Sequence, residues 1–272
     1  MLNLLICNNR LEDVENINKN IALFKSIFNE SNIFIFHDSD IQCDSYDKRT
    51  VVFSINKNIG LLAGRKYLVE HIPEKYNNEY FIWLDSDDLL LPQELQRGYD
   101  EISKNDWDYY GLLDSDRVWN KIYRLSLLKE AYEVIPQDMF GFKILYQEDS
   151  FIKSVILDIA VKRQFNNIKS ADIRFIKYNG YHAPNLSNPE SAKKFFESFF
   201  IKEIWGINKV GPFKILPRQL SIIIYNDIKH YGENYILGII NDIISKLPEK
   251  YHSYFKDIID SAQKLDLTLN TK

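Results

Sequence analysis

The chain has 272 residues, 45% of them hydrophobic and 14% aromatic, enough for one sizeable core and a smaller second one. Its formal net charge of -4, with acidic and basic residues mixed along its length, excludes the concentrated basic footprint of a nucleic-acid binder. The two cysteines, Cys7 and Cys43, lack metal-ligand spacing and cannot staple a small fold, so they read as reduced thiols of a cytoplasmic protein.

Leu4–Ile6 is an apolar strand, too short and too closely bounded by Asn3 and Asn8 to be the core of a signal peptide. Ile17, Ile21, Phe24 and Phe28 then recur at three- and four-residue spacing, which marks one face of a helix. Ile33–Phe36 and Val51–Phe53 are two further strands, and a helical segment through Leu61 and Leu68 leads to a fourth, Tyr80–Leu84. Pro92 suits the first turn of a helix, where a missing N–H costs no hydrogen bond. Ile173–Tyr178 is strand-like. This alternation predicts an α/β fold, a mostly parallel, Rossmann-like sheet flanked by helices. After a boundary near Pro184–Pro189 three segments are helical by period, carried by Phe195, Phe196 and Phe199, by Ile236, Ile240 and Ile243, and by Phe255, Ile258 and Ile259. The expected organisation is a catalytic domain over 1–187 and a small all-helical region over 188–272. No run approaches a membrane span, so a soluble or at most peripheral protein is expected.

In open α/β sheets ligands bind beyond the carboxyl ends of the strands. Asp85-Ser86-Asp87-Asp88 sits there, directly after Phe81–Leu84. Three carboxylates in four residues repel one another unless a cation or hydrogen-bond donors compensate them, and hard oxygen ligands suit Mg²⁺ or Mn²⁺ bridging to a diphosphate. The plainer alternative is a solvated acidic turn with helix-capping aspartates. An EF-hand is excluded, because its sixth and twelfth positions require glycine and glutamate; counted from Asp85 they hold Leu90 and Gln96.

Four segments in order, Asn58-Ile59-Gly60, Gly64-Arg65, Asp85-Ser86-Asp87-Asp88 with Pro92, and Asn120-Lys121-Ile122-Tyr123-Arg124, resemble the motifs of family-2 glycosyltransferases of the GT-A fold. The resemblance extends to Glu148-Asp149 and covers roughly residues 1–187. The chain departs from the pattern at Cys7-Asn8-Asn9, at His37, which replaces the first aspartate of an Asp-Asp-Gly-Ser segment, and at Gly64 and Lys66, which replace an alanine and an asparagine. The resemblance implies an inverting, metal-dependent transfer of a sugar from a nucleotide diphosphate donor, a UDP-sugar, to a hydroxyl of a glycan or lipid-linked acceptor in bacterial surface polysaccharide synthesis. It also implies residue roles. Asn8 and Asn58 would line the nucleoside pocket, Asp38 would read the base, and Arg65 would lie near base or diphosphate. Asp85 and Asp87 would hold the ribose and the metal's water shell, and Asp88 or Asp87 would ligate Mn²⁺ or Mg²⁺, with His182 as a further metal ligand. Asp149 would be the general base, oriented by Glu148, which would also contact the acceptor.

Each residue has a plainer role as well: a turn aspartate for Asp38, a surface arginine for Arg65, a helix cap for Glu148 and Asp149, a structural histidine for His182. In the tail, aromatic residues interleave with Lys193, Lys194, Lys202 and Lys209. They form either a small core or dimer contact with solvated lysines, or a peripheral surface at the inner face of a membrane; the first is favoured. A nucleotidyltransferase of related fold would carry a glycine-rich loop after the first strand, and Cys7–Leu11 has no glycine. A non-catalytic sugar-binding protein is the third reading, and it predicts no metal-dependent nucleotide binding.

Overall fold

A computed structural model of the chain describes residues 1–8, 11–37, 49–55, 57, 59–111, 120–135, 148–177, 185–208 and 217–269. Strand β1 (Leu2–Asn8) is buried at every position, since a central strand covered on both faces has no solvent side. It leads to α1 (Val14–Ile27), whose buried residues Ile17, Ile21 and Phe24 follow the helical period, and then to β2 (Ile33–His37) and β3 (Thr50–Ser54). Helix α2 (Leu61–His71) precedes β4 (Tyr80–Asp85), the short β5 (Leu89–Leu90) and α3 (Pro92–Asn105), which starts on its proline. The chain continues through β6 (Tyr109–Gly111), β7 (Lys121–Arg124), α4 (Leu125–Glu133), α5 (Glu148–Lys162), β8 (Ile168–Ser170) and β9 (Ile176–Lys177).

Among the described residues seven strands make one sheet in the order β3-β2-β1-β4-β7-β6-β8. From β3 to β4 every pair is parallel; β7 enters antiparallel to both β4 and β6, and β8 runs parallel to β6. Helices flank this mostly parallel sheet, α1 packing with α3, and α2 with α4, which also meets α5. The expected α/β architecture is therefore present. Its core holds Trp83, Phe34, Phe36 and Phe81, each 1% exposed or less. Burying a large apolar side chain of this kind stabilises the fold by about 1.5–3 kcal/mol. Helix α3 packs closely on Phe175 because Gly98 has no side chain: a Cβ there would lie 2.3 Å from the Phe175 ring.

One strand expectation is corrected. Of the expected strand Ile173–Tyr178, residues 173–177 are described, and among these Ile176–Lys177 pairs as a strand, antiparallel to β5. The preceding backbone is taken up by a side chain instead. Asn120 Nδ2 donates to the Ile173 carbonyl at 2.9 Å, and its Oδ1 accepts the amides of Phe175 at 2.5 Å and Ile176 at 3.2 Å. With its amides and carbonyl satisfied this way, the segment needs no ladder partner.

The chain divides into two compact units, and the described residues from 185 onward belong to the second. Its helices are α6 (Pro189–Asn208), α7 (Pro217–Tyr231), α8 (Glu233–Ile244) and α9 (His252–Leu269). Asn188 caps α6 by accepting the amides of Glu190 and Ser191. Phe196, Phe200, Ile224, Ile236, Ile240 and Phe255 are fully buried, and the rings of Phe200 and Phe255 lie 4.6 Å apart. These aromatics fill a core. Among the described residues no helix is long and apolar enough to cross a membrane.

Candidate functional site

The parallel half of the sheet brings three strand ends together at its carboxyl edge. Asn8 at the end of β1 stands opposite His37 at the end of β2, and Cys7 stands opposite Asp85 at the end of β4. Asn8 Nδ2 donates to His37 Nδ1 at 3.4 Å. Both side chains are buried, and burial pushes the His37 imidazole below its usual pKa. The histidine that replaces an aspartate in the motif is thus a buried group whose surroundings disfavour its charged form.

Beside this pair, β4 runs into a tight turn in which the Asp88 amide donates to the Asp85 carbonyl at 3.1 Å. The three carboxylates of the turn have different surroundings. Asp85 Oδ1 accepts from Arg65 of α2 at 2.6 Å, and the guanidinium also lies 5.5 Å from the centre of the Trp83 ring. Arg65 is only 1% exposed, so it is no surface arginine; a charge-assisted bond from beneath the sheet edge fixes Asp85. Asp87 is exposed, whereas Asp88 is 1% exposed. The glycine preceding Arg65 has a packing cause. A Cβ on Gly64 would come within 2.7 Å of the Phe36 ring, so the helix lies flush on β2 only without one.

The turn is also held from α1, a contribution that the motifs do not reveal. Asn16 Nδ2 donates to the Ser86 carbonyl at 2.7 Å and to the Asp88 carbonyl at 2.9 Å. Asn20 Nδ2 donates to the same Asp88 carbonyl at 2.9 Å, and its Oδ1 accepts the Leu90 amide at 2.9 Å. Ser86 Oγ donates to Asp13 Oδ2 at 2.7 Å. The only trace in the sequence is that Asn16 and Asn20 each directly precede an apolar contact residue, Ile17 or Ile21, and so share much of the buried face of α1.

The Asn120–Arg124 motif spans the sheet. Its asparagine organises the 173–176 segment, while its arginine lies opposite Tyr80 at the far end of β4. There Arg124 bonds Asp106 and Asp108, both at 2.6 Å. This is an anchor at the amino end of β4, remote from the acidic turn.

Among the described residues no three His, Cys, Asp or Glu side chains converge as a closed metal site. That is compatible with Mg²⁺-type binding, which needs only one or two protein carboxylates because substrate phosphates complete the shell. The exposed Asp87, on a turn whose backbone is fixed, offers one such carboxylate, so the donor set fits an ion shared with a diphosphate. Glu148 and Asp149 lie on α5, their side chains outside the described ones, and Asp38, Asn58 and His182 lie outside the described residues.

No family model matches the chain, and neither does any curated protein sequence. Solved structures do. S. aureus TarS 1-349 in complex with UDP-GlcNAc superposes over 99% of this chain and 91% of its own, with a TM-score of 0.59 and 13% identity. A crystal structure of S. aureus TarS is matched over 98% of this chain and 55% of that one, with a TM-score of 0.58 and 13% identity. The 1-349 form in complex with UDP gives 0.51 at 13% identity, over 96% and 79%. What is shared is the fold. The chain has the GT-A-like architecture that its motifs implied.

Proposed function

We propose that the chain is a glycosyltransferase that moves a sugar from a nucleotide diphosphate donor, a UDP-sugar, to a hydroxyl of a glycan or lipid-linked acceptor in bacterial surface polysaccharide synthesis. The observation that carries this reading is the anchored acidic turn at the carboxyl end of β4, flanked by Asn8 and His37. A fold shared with TarS, crystallised with UDP-GlcNAc and with UDP, supports it.

On this reading Asn8 and Asp38 contact the nucleoside, and Asp85, held by Arg65, takes a ribose hydroxyl. Asp87, the exposed carboxylate, would hold Mn²⁺ or Mg²⁺ together with the diphosphate, and Asp88 is buried in the same turn. When bound, the cation would supply positive charge to offset the charge developing on the leaving diphosphate. Asp149 takes the proton from the acceptor hydroxyl as its oxygen attacks the anomeric carbon. The bond from that carbon to the diphosphate breaks, UDP departs with the electron pair, and the anomeric configuration inverts.

Calorimetry with UDP, GDP and CMP, each with and without Mn²⁺, tests the reading. UDP is expected to bind most tightly and to gain affinity with Mn²⁺. At a hundredfold excess over its dissociation constant it should stabilise the protein by roughly 2.7 kcal/mol. Equal affinity for all three nucleotides, unchanged by the metal, would overturn the assignment.

A further inference from the structure

We infer that Asp13, the residue that leads into α1, and Asn16 and Asn20 on α1 form a row of positioning residues that holds the Ser86–Asp88 turn in the geometry that presents Asp87 to a cation and diphosphate. This rests on reading the turn as the donor site. Asn16 and Asn20 are four residues apart on one face of α1, and Asp13 sits at the start of that helix, three residues before Asn16.

Two features show that the row does more than fill space. Asn20 is fully buried on a helix whose neighbouring contacts are apolar. Asparagine is a weak helix former, and burying its amide is unfavourable unless every group finds a partner. A leucine would fill such a position at lower cost. Here the amide is spent on the turn: Nδ2 goes to the Asp88 carbonyl and Oδ1 takes the Leu90 amide, one residue on either side of Leu89. Second, Asn16 and Asn20 donate to main-chain carbonyls of the turn, while Asp13 accepts from the Ser86 hydroxyl. A turn that crowds three carboxylates into four residues is pushed apart by its own charge. Main-chain anchoring resists that repulsion in a turn whose Asp87 is exposed. Groups that orient a ligand in this way typically change metal affinity when removed, although they never touch the ion.

The test uses the full chain. UDP is titrated by calorimetry with and without Mn²⁺ into wild type, Asn16→Ala and Ser86→Ala, and the melting temperature of each is recorded without ligand. The readout is the factor by which Mn²⁺ raises UDP affinity. In Asn16→Ala this factor is expected to fall about tenfold, with metal-free UDP affinity little changed. In Ser86→Ala, which removes only the hydroxyl bonded to Asp13, it is expected to fall about threefold. Ser86→Ala decides the matter if Asn16→Ala does not fold. A lowered melting temperature with the Mn²⁺ factor intact would make the row a purely structural support and overturn the inference. A wild type with no Mn²⁺ factor would instead overturn the donor-site reading, and this inference with it.

Discussion

Arg65 and Asp85 show how a charged pair can be placed for use. A guanidinium buried against Trp83 would be strongly unfavourable without its carboxylate partner, and the 2.6 Å bond to Asp85 provides one. Asp85 stays partly open, its side chain 28% exposed. The catalytic proposal turns on a different residue. Asp149→Asn keeps the shape of the side chain but cannot accept the proton, so sugar transfer should fall by at least about 100-fold. UDP affinity should hardly move, because the residue is assigned to the acceptor. Rates of UDP release with acceptor present, set beside calorimetric UDP affinity, separate the two effects. Turnover near that of wild type would remove Asp149 from the mechanism and make Glu148 the next candidate. A helix cap alone predicts that result, since asparagine caps about as well as aspartate.

At the scale of elements, Asn120 ties β7 to the segment leading into β9. It adopts a left-handed backbone, φ 67°, which asparagine tolerates better than most residues. Asn120→Ala loses the bonds to Ile173, Phe175 and Ile176 and should destabilise the fold by about 1–3 kcal/mol. Hydrogen exchange at the Phe175 and Ile176 amides should accelerate well before that of β1; equal protection in variant and wild type would show that another group holds the segment. The same residue explains a misread stretch. Ile173–Phe175 carries the composition of a strand, but a side chain over fifty residues away takes its hydrogen bonds, and no local pattern reports that. By contrast β1, β2 and β4 are legible because long apolar runs have few alternatives to burial in a parallel sheet. Tyr109–Gly111 and Ile168–Ser170 are too short to show a period, so only their neighbours make them strands. At the site, Asp85–Asp88 is legible because it is contiguous. The asparagines of α1 are not, because the carbonyls they bond lie 68 to 72 residues away.

Across the whole molecule, the two units carry groups that titrate with opposite effect. Burial raises the Asp227 carboxyl of α7 to about 6, and its Oδ2 has no hydrogen-bond partner among the described residues. A carboxyl that binds its proton more tightly in the native state adds stability below its ordinary value of 3.8. That contribution is lost as pH rises through about 6. His37 in the sheet unit runs the other way. Its lowered pKa contributes stability above the ordinary value of 6.5, lost as pH falls through the folded value. Asp227→Asn should therefore melt above wild type at pH 7, with the gap shrinking toward pH 4. Scanning calorimetry of both proteins across that range checks it, and a gap independent of pH would mean that the buried carboxylate is not its source.

The strand order also has a consequence for synthesis. β7 lies between β4 and β6, yet it is made after both, so the flank of β4 cannot be covered until residue 124 has left the ribosome. At roughly 5–20 residues per second the stretch from the end of β4 to the end of β7 takes a few seconds. For that time Tyr80, Phe81 and Ile82, which pair with β7 in the finished sheet, present an open strand edge to solvent. The acidic turn emerges directly behind them, and its cluster of like charges guards a nascent chain against edge-to-edge association just when that edge is bare.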